Sequence, residues 1–474
     1  MMLREAASVL ASIRDSLRPR ESEYDELFSK FFYVKERLVR CLSGLGTAFV
    51  VSLQGSLAKD TVLRGASDID VFVLFDPNKV EPQWFEKVFI PRVLECFKDH
   101  RCFLEYATHP YLTVIIDGTE INIVPAYITH SDRPLTAVDR TPHHTRYIVK
   151  KLVSRERRDE VRLLKRFLKT LGIYGAEVGV KGFSGYVAEL LIAYYGSFLE
   201  VLRNVLRWRE GSTCIDIEKH YADPRECLAR FRDAVIVVID PVDPRRNAAA
   251  AVSQRALNVF RVGAALFLQC PSPRFFQDYS PPNDINSIRN ALAQVTEAEL
   301  LPVLAIYRGN AVPDVLWGEI KRVEKSVVNT LKQRNVEVVL SESWASESRA
   351  VLALLVHDSW RSYFQHQGPP TVASERVMSF IVKNADAVVG PWIDDSSLKC
   401  VKRRKRALYE EIATVVKQFS KVKHLELDRL CIGGDVLTCL ESLSAEDRSR
   451  LIEAFTRKLF VWLIEPCLDA KQSL

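Results

Sequence analysis

Two carboxylates two residues apart, Asp68 and Asp70, are the side chains of this chain best suited to metal chemistry. They open the apolar run VFVLF, and the two-residue repeat of a strand places both on one face, near a strand end. Two such carboxylates provide the hard oxygen ligands that Mg²⁺ prefers. Twelve positions before Asp68, Gly55-Ser56 interrupts a second apolar run, Ala48 to Leu53, which predicts a strand that turns sharply into a helix.

A glycine in that turn lets backbone N–H groups approach a phosphate closely. Alone, Gly-Ser is most often a plain turn, and Asp-x-Asp is most often a solvated strand edge. The combination of strand, Gly-Ser, Asp-x-Asp and apolar strand is much less common. It predicts a polymerase-type nucleotidyltransferase site.

A β-hairpin is the expected source of a third carboxylate. The segment YLTVIIDGTEINIVPAY has Asp117-Gly118, a strong two-residue turn signal, between β-rich flanks. On its second strand Glu120, Asn122 and Val124 share one face, with Asn122 at the centre.

Length and composition favour an ordinary globular protein of several domains. The chain has 474 residues, too many for one core, with 47% hydrophobic and 27% charged residues, which predicts three or four domains. Its start is an amphipathic, charged helix, and no run approaches eighteen apolar residues, so we expect a cytoplasmic protein without membrane association. The ten cysteines form no Cys-x-x-Cys pair, and we expect reduced, mostly buried thiols.

Positive charge is concentrated in two segments. Residues 150–169 hold nine basic and three acidic side chains, and residues 399–406 hold six basic side chains in eight positions. Such runs are most often solvated helix faces, but a phosphate-transferring site in the same chain favours a nucleic-acid partner.

Several motifs together resemble the archaeal, class I CCA-adding tRNA nucleotidyltransferases, of the DNA polymerase beta-like superfamily. The resemblance runs from about residue 50 to 275 and is weaker in RSYFQHQGPPTVASERVMSFI beyond it. The motifs are GSLAKDTVLRGASDIDVFVLF, HPYL…EINIVPAY, AVDRTPHHTRYI, EVRLLKRFLKTLGIYGAE, GFSGYVAELLIAYYGSFLEVLRN and VIDPVDPRRNAAAAVS.

The resemblance implies a role for each matching residue. Asp68 and Asp70 would bind Mg²⁺, and Arg246, after the turns of DPVDPRRN, would recognise the cytosine or adenine base. The nucleotide-binding set would be Gly55, Ser56, Lys59, Thr141, His144, Lys165, Tyr174 and Arg246. The substrates would be tRNA, gripped at its 3′ end and acceptor stem, with ATP and CTP. On the helix predicted to end at Gly172, Arg162 and Lys169 are expected to contact tRNA phosphates.

Asn122 departs from the family pattern, because relatives have aspartate at this metal position. An amide has a weaker oxygen donor and no charge. Three explanations remain open: an impaired paralogue that still binds tRNA, a working enzyme that uses another carboxylate, or a substitution in this chain. Other enzymes of the superfamily, such as poly(A) polymerases, share Gly-Ser and Asp-x-Asp, but the motifs of residues 137–247 argue against them.

The predicted fold class is α+β, with a small mixed sheet that carries the site. We expect four parts: a nucleotidyltransferase catalytic head (1–146), a helical neck that binds nucleotide and tRNA (147–268), a mixed body (269–395) and a helical tail (396–474). The sequence leaves the oligomeric state open, with a homodimer as one option.

Overall fold

A computed structural model describes residues 2–66, 68–106, 109–130, 134–281, 284–358, 363–404 and 406–472. Ser67 of the GASDID motif, Arg361 and Ser362 of the body motif, and Lys405 of the second basic segment lie outside these residues. The chain divides into two compact units, unit 1 (Met1–Tyr279 with Phe460–Leu474) and unit 2 (Ser280–Leu459). The prediction of four parts stays a prediction.

Unit 1 opens with two helices, the first of which is the predicted amphipathic helix, and continues with a mixed five-stranded sheet. The strands lie in the order β1-β2-β5-β4-β3, with β2 and β5 parallel and the other neighbours antiparallel. The elements are α1 (Met2–Leu17), α2 (Glu21–Leu42), β1 (Phe49–Gln54), α3 (Gly55–Ala58), β2 (Asp68–Phe75), α4 (Pro82–Trp84), α5 (Ile90–Cys96), β3 (Arg101–Tyr106), β4 (Pro110–Ile116) and β5 (Thr119–Tyr127).

The alternation of β2 decides which side of this sheet carries chemistry. Ile69, Val71 and Val73 are fully buried in a core shared with α2, α5 and β5. Because successive strand residues face opposite ways, Asp68 and Asp70 lie on the other face. The predicted hairpin of β4 and β5 is confirmed, and its turn residues Asp117 and Gly118 both have positive φ, as a tight two-residue turn that follows the strand twist requires.

The rest of unit 1 is mainly helical and includes a small three-stranded sheet, β6-β7-β8. The predicted helix stop is confirmed, because α7 ends at Thr170 and Gly172 has φ +67°. The elements are α6 (Thr141–Lys151), α7 (Arg155–Thr170), α8 (Gly185–Tyr195), α9 (Phe198–Val205), β6 (Cys214–Ile215), α10 (Pro224–Arg230), β7 (Val237–Asp240), β8 (Asp243–Asn247) and α11 (Gln254–Gln269).

Unit 2 is built on an antiparallel sheet of five strands in the order β10-β11-β9-β16-β15, with a separate three-stranded sheet, β12-β14-β13. Two apolar cores, one containing α13 and α15 and the other α12, α16 and α17, pack on the larger sheet. The elements are α12 (Ile285–Glu297), β9 (Leu300–Gly309), α13 (Pro313–Gln333), β10 (Val338–Ala345), β11 (Arg349–His357), β12 (Tyr363–Pro370), α14 (Ser374–Lys383), β13 (Val389–Asp394), β14 (Ser397–Arg403), α15 (Leu408–Lys417), β15 (Lys421–Val422), β16 (Leu425–Ile432), α16 (Val436–Cys439) and α17 (Ala445–Thr456).

The α+β class is confirmed. Residues 396–474 hold three strands, β14 to β16, as well as the helices predicted there. A last helix, α18 (Leu459–Gln472), contributes to unit 1, where Arg274 Nη1 donates to the Trp462 carbonyl at 2.8 Å.

The cysteines correct a prediction. Eight of the ten are paired in disulfides and only Cys102 and Cys400 are free thiols, so the expectation of reduced thiols was wrong. The pairs are Cys41–Cys96, Cys214–Cys227, Cys270–Cys467 and Cys431–Cys439. Their sequence separations range from 8 to 197 residues, and only the tertiary fold brings such distant positions together.

Within the described residues, no single helix has the length and apolar character needed to span a bilayer. By length and composition alone, α8 and α9 pass that test as a pair bent by 95°. Six of the eleven residues of α8 and four of the eight residues of α9 are buried.

Candidate active site

The metal-binding candidates lie together on the free face of β2. The parallel register of β2 and β5 sets Asp70 beside Asn122 and Asp68 beside Glu120. Asp68 is exposed and Asp70 is partly buried. Gly55 has φ +70°, and a side chain there would overlap the Asp70 carboxylate. Glycine at the start of α3 therefore leaves room for Asp70 and permits the turn.

Asp70 has an amide neighbour instead of a cation. Asn122 Nδ2 donates to Asp70 Oδ1 at 3.2 Å, while Asn122 Oδ1 accepts from the Thr113 hydroxyl at 2.9 Å. Burial raises the pKa of Asp70 above the usual aspartate range, and the Asn122 hydrogen bond opposes this only in part. A bound cation would offset this cost of burying the ionised carboxylate.

These residues fit a divalent metal ion, although with an incomplete ligand set. Asp68 and Asp70 offer hard oxygen donors from one strand face. Among the residues that the structure describes, no group of three His, Cys, Asp or Glu side chains is close enough to hold an ion. Glu120, the register partner of Asp68, thus does not complete a group of three carboxylates, and the third position belongs to the neutral Asn122.

A cavity of about 240 Å³ lies against the two aspartates. It brings together five of the predicted nucleotide-binding residues and also Lys169, which the sequence assigned to tRNA. The predicted residues in its lining are Gly55, Ser56, Lys59, Lys165, Lys169 and Tyr174, together with Asp68 and Asp70. Its volume and its mixture of lysines and carboxylates suit a phosphate group with a metal ion.

A buried carboxylate joins the two lysines of this cavity. Glu189 is fully buried on α8, and its Oε2 accepts from Lys59 Nζ at 2.6 Å. Its Oε1 accepts from Lys165 Nζ at 2.9 Å and from the Thr61 hydroxyl at 2.6 Å. Burial would raise the pKa of Glu189, but Lys165, Lys59 and Thr61 outweigh it and lower that pKa to about 2.

Arg246, predicted to recognise the base, and His144, predicted to contact the nucleotide, both lie against Asp240 in a second cluster. Asp240 Oδ2 accepts from Arg246 Nη1 and lies near His144 Nε2, both at 2.8 Å, while Oδ1 accepts from the Tyr186 hydroxyl at 3.1 Å. The rings of His144 and Tyr186 stack with centroids 4.1 Å apart. Tyr186 also lines the cavity, so it connects the base-side cluster with the phosphate side.

Burial and hydrogen bonding shift the pKa values of Asp240 and His144 within this cluster. Burial would raise the pKa of Asp240, but hydrogen bonds and charge from His144 and Arg246 lower it to about 2. Burial lowers the pKa of His144. Thr141 begins α6, one turn before His144, and is not in the cavity lining.

Arg162 requires a correction, because it cannot be the exposed phosphate contact that the sequence predicted. It is 1% exposed, and its guanidinium donates to the Asp60 side chain and carbonyl, the Val62 carbonyl, Asp159 and the Tyr24 hydroxyl. Helix α7 directs Arg162 and Lys165 toward the loop after α3, where they hydrogen-bond to its backbone carbonyls. Lys169, with its ammonium 5.4 Å from the Tyr174 ring centroid, is exposed as expected.

The basic segments are largely engaged inside their own units. In residues 150–169, Lys151 pairs with Glu218, Arg158 with Asp60 and Arg166 with Asp278. In residues 399–406, Lys399 pairs with Asp394 and Lys402 donates to Asn384. Much of the positive charge that suggested a nucleic-acid partner therefore neutralises protein acceptors.

Sequence reasoning missed Tyr186, Glu189 and Asp240. Glu189 had a usable signal, since it is the one charged residue in the otherwise apolar helix GYVAELLIAYY, and a lone charge on a buried helix needs a partner. Asp240 ends a buried strand but resembles a turn residue in the sequence. Tyr186 carried no signal that distinguishes it from a core aromatic.

A mixed sheet with two carboxylates on one face, beside a lysine-lined cavity at a Gly-Ser turn, defines a nucleotidyltransferase site. Residues 36–153 match the family model of the nucleotidyltransferase domain. Residues 159–277 match the second domain of tRNA nucleotidyltransferase, and residues 301–428 match the C-terminal domain of CCA-adding enzyme.

Curated relatives match over nearly the whole chain. The CCA-adding enzyme of Pyrobaculum islandicum is 36% identical over 417 residues, which cover 87% of this chain and 93% of the relative. That of Sulfolobus acidocaldarius is 32% identical over 459 residues, 96% of this chain and 99% of the relative. The chain belongs to the family of CCA-adding enzymes, and the predicted resemblance is confirmed.

Proposed function

We propose that this protein adds C, C and A to the 3′ end of tRNA, using CTP and ATP, releasing pyrophosphate and needing no nucleic-acid template. The observation that carries the proposal is the cavity beside Asp68 and Asp70, lined by Ser56, Lys59 and Tyr174, in a chain of this family. The reaction joins the tRNA 3′-oxygen to the α-phosphorus of the nucleotide and breaks the bond to the pyrophosphate.

The chain's own residues have separable tasks in this reaction. Lys59 would balance phosphate charge, and the Ser56 hydroxyl and backbone at the Gly55 turn would donate to phosphate oxygens. Mg²⁺, held by Asp68 and Asp70, would offset charge on the triphosphate when bound. The Tyr174 hydroxyl stays protonated, since burial raises its pKa, and it remains a hydrogen-bond donor.

Base recognition is assigned to the cluster around Asp240. Arg246 is 40% exposed, but Asp240 holds one arm of its guanidinium. A planar fork fixed in this way presents its remaining N–H groups in one orientation to a base edge. His144 stacks on Tyr186 and supports the same wall. The cytosine and adenine edges would therefore be read by protein groups and not by a template strand.

Asn122 leads us to propose that transfer is slow in this chain. The amide N–H donates a hydrogen bond to Asp70, where relatives are expected to offer a carboxylate oxygen. A neutral ligand contributes less to binding a second metal ion and to activating the 3′-hydroxyl. One alternative is a catalytically impaired paralogue that binds tRNA without extending it. A second alternative is another activity of the superfamily, such as that of a poly(A) polymerase.

One incorporation assay separates these functions. The purified protein is incubated with Mg²⁺, labelled CTP or ATP, and tRNAs that lack CCA, CA or A, with an unstructured RNA as the matched control acceptor. We expect C on the first two tRNAs, A on the third, and no extension of the control. A long tail on the unstructured RNA would favour the polymerase. Retained tRNA binding with no incorporation would establish the binding protein and contradict the proposed enzyme.

A further inference from the structure

The face of the sheet that carries the two aspartates continues across β5 and β4 to β3. Residues that pair in register on neighbouring strands point to the same side of a sheet. Two rows of such partners cross the sheet, one with Asp70, Asn122, Thr113 and Phe103, and one with Asp68, Glu120, Ile115 and Arg101. Since β3 is the last strand of the sheet, Arg101 and Phe103 stand at the edge of the metal-binding face.

This edge is exposed and carries a positive charge. Phe103 is 38% exposed, and Arg101 is exposed as well. The Arg101 guanidinium lies 4.7 Å from the Phe103 ring centroid, within the range of cation–π attraction. Among the described residues, Arg101 has no hydrogen bond or ion pair, whereas Lys151, Arg158 and Arg166 of the first basic segment are paired. An exposed ring beside a cation is the combination that binds single-stranded nucleic acid.

The nucleotide cavity lies on the other side of the aspartates. Its lining comes from residues 55–70, α7 with the turn after it, and α8, and none of the described lining residues belongs to β3, β4 or β5. Helix α3 follows β1, the neighbour of β2 on the side away from β5. In the proposed reaction the pyrophosphate leaves on the α3 side, and an in-line displacement requires the attacking oxygen on the opposite side. The acceptor 3′ end would therefore arrive over β5, with its preceding nucleotides over β4 and β3.

We propose that Phe103 and Arg101 bind the single-stranded 3′ end of the acceptor RNA, with a base stacked on Phe103 and a phosphate held by Arg101. Two strand spacings of about 4.8 Å place Phe103 roughly 10 Å across the sheet from Asn122. About three stacked nucleotides, at roughly 3.4 Å each, cover this distance, so the contact falls at the second or third nucleotide from the 3′ end. The inference rests on the proposed function for the identity of the acceptor and deepens it by assigning a surface to the acceptor strand.

Acidic neighbours restrict the charged part of this contact. Glu105 is the next residue after Phe103 on the same face of β3, and Glu120 lies two strands from Arg101 in the same row. Both carboxylates are exposed and repel phosphates. The attractive charge is therefore confined to the guanidinium, and we expect one phosphate contact, with stacking on Phe103 as the larger contribution.

Phe103 and Leu104 form a matched pair for the test, because they are neighbours on β3, are 38% and 41% exposed, and face opposite sides of the sheet. The probe is an acceptor-stem minihelix with unpaired 3′ nucleotides, titrated into the full-length protein. We expect Phe103→Ala to weaken binding on the order of tenfold, as for one lost base–aromatic stack. Phe103→Tyr, which keeps the ring, and Leu104→Ala should bind like the unaltered protein. Equal effects of Phe103→Ala and Leu104→Ala would overturn the proposal.

A second RNA locates the effect on the acceptor. A blunt minihelix, which lacks the unpaired 3′ nucleotides, should bind equally to the unaltered protein and to Phe103→Ala, because the two changes remove the same interaction. If Phe103→Ala weakens binding of the blunt RNA as much as that of the first probe, the ring does not contact the 3′ strand and the proposal is wrong.

Salt dependence tests the phosphate contact. Arg101→Gln should reduce the slope of log K against log salt for the first minihelix by about 0.7, the value for one phosphate of a single strand. Lys35→Gln is the matched control, because Lys35 also lies over an aromatic ring, that of Phe31, on α2, which packs on the opposite face of the sheet. An unchanged slope in Arg101→Gln would mean that this charge only guards the strand edge against pairing, and would overturn the assignment of Arg101.

Photochemical cross-linking gives a readout that a structural role of Phe103 would not produce. Minihelices with 5-iodouridine at the second or third nucleotide from the 3′ end are irradiated on the protein, and the linked peptide is sequenced. We expect a link to Phe103 that Leu104→Ala retains and Phe103→Ala loses. Links confined to other elements would overturn the proposal.

These measurements need no nucleotide transfer, so they separate this surface from the proposed activity. Binding through Phe103 without incorporation would contradict the proposed enzyme and leave the surface standing. Incorporation with unchanged minihelix binding in Phe103→Ala would contradict the surface alone.

Discussion

Two carboxylates in the same cavity, Asp70 and Glu189, have opposite pKa shifts. Burial raises the pKa of Asp70, and the Asn122 hydrogen bond and the Lys59 charge oppose this rise only in part. Glu189 is buried more completely, yet Lys165, Lys59 and Thr61 overcome its desolvation and lower its pKa to about 2. The protein itself supplies the positive charge that offsets Glu189, whereas Asp70 is left for a bound cation to offset. The face of β2 that carries Asp68 and Asp70 is available to a metal ion and substrate. Lys59 and Lys165, in contrast, already contact Glu189 within the protein.

The largest expected effect comes from removing the uncompensated charge. Asp70→Asn or Asp68→Asn should weaken Mg²⁺-dependent ATP and CTP binding by at least about 100-fold, since even partners of metal ligands contribute ten- to 100-fold. Glu120→Gln is the matched control, because Glu120 shares the sheet face and the register of Asp68. Calorimetry with and without Mg²⁺ measures the effect. Unchanged affinity in both aspartate variants would remove the metal site.

Stability should change in opposite directions for the two carboxylates. Because the pKa of Asp70 is raised in the folded protein, ionisation of this carboxyl lowers the free energy of unfolding. This cost is complete above the folded-state pKa and absent below about pH 3.9, the ordinary aspartate value. Without metal at pH 7, Asp70→Asn should therefore stabilise the protein, an advantage that disappears in acid. Glu189 contributes stability above about pH 4.3 that is lost as pH falls toward its folded-state value. Glu189→Gln at pH 7 should lower the free energy of unfolding by about 3 kcal/mol, as for a broken buried pair.

Denaturant unfolding in EDTA at neutral and acidic pH measures both changes. The unaltered protein at each pH is the control, because it contains both groups. If Asp70→Asn and Glu189→Gln change the free energy of unfolding in the same direction at pH 7, the proposed difference between Asp70 and Glu189 is wrong.

A smaller effect is expected where α7 meets solvent. Lys169→Gln should reduce the slope of log K against log salt for a tRNA acceptor minihelix by about 0.7 to 0.9, the value for one phosphate contact. Arg162→Gln is the contrasting variant on the same helix, and its buried hydrogen bonds predict lost stability with no direct change in slope. Titrations over a range of salt concentrations decide this. An unchanged slope in Lys169→Gln would mean that its ammonium only covers Tyr174.

The sequence could predict the metal face because local rules determine it. The alternation of β2 fixes the side on which Asp68 and Asp70 lie, and Asp117-Gly118 fixes the hairpin that sets Asn122 beside them. The lysine cluster depends on helix packing, which sequence spacing does not specify. The spacing of α7 separated Arg162, Lys165 and Lys169 from the apolar face, but two of them turn toward the buried loop after α3.

The prediction of reduced thiols failed for the same reason, since cysteines as far apart as Cys270 and Cys467 meet only in the finished fold. Glu189 could be predicted only in part. A single charged residue in an apolar helix indicates that a buried partner exists, but the sequence does not show that Lys59 and Lys165 are that partner.

The most direct test of the account is the comparison of this chain with its Asn122→Asp variant. If the metal face lacks one carboxylate, the variant should transfer CMP and AMP faster by on the order of 10²-fold, the usual effect of one electrostatic contact to a transition state. The gain should appear in kcat and not in KM, because Asp68 and Asp70, the proposed ligands of the nucleotide-bound Mg²⁺, are the same in both proteins. Single-turnover transfer at saturating Mg²⁺ and tRNA measures it. Equal rates in the two proteins would contradict the account, because they would mean that another group already does the work of the missing carboxylate.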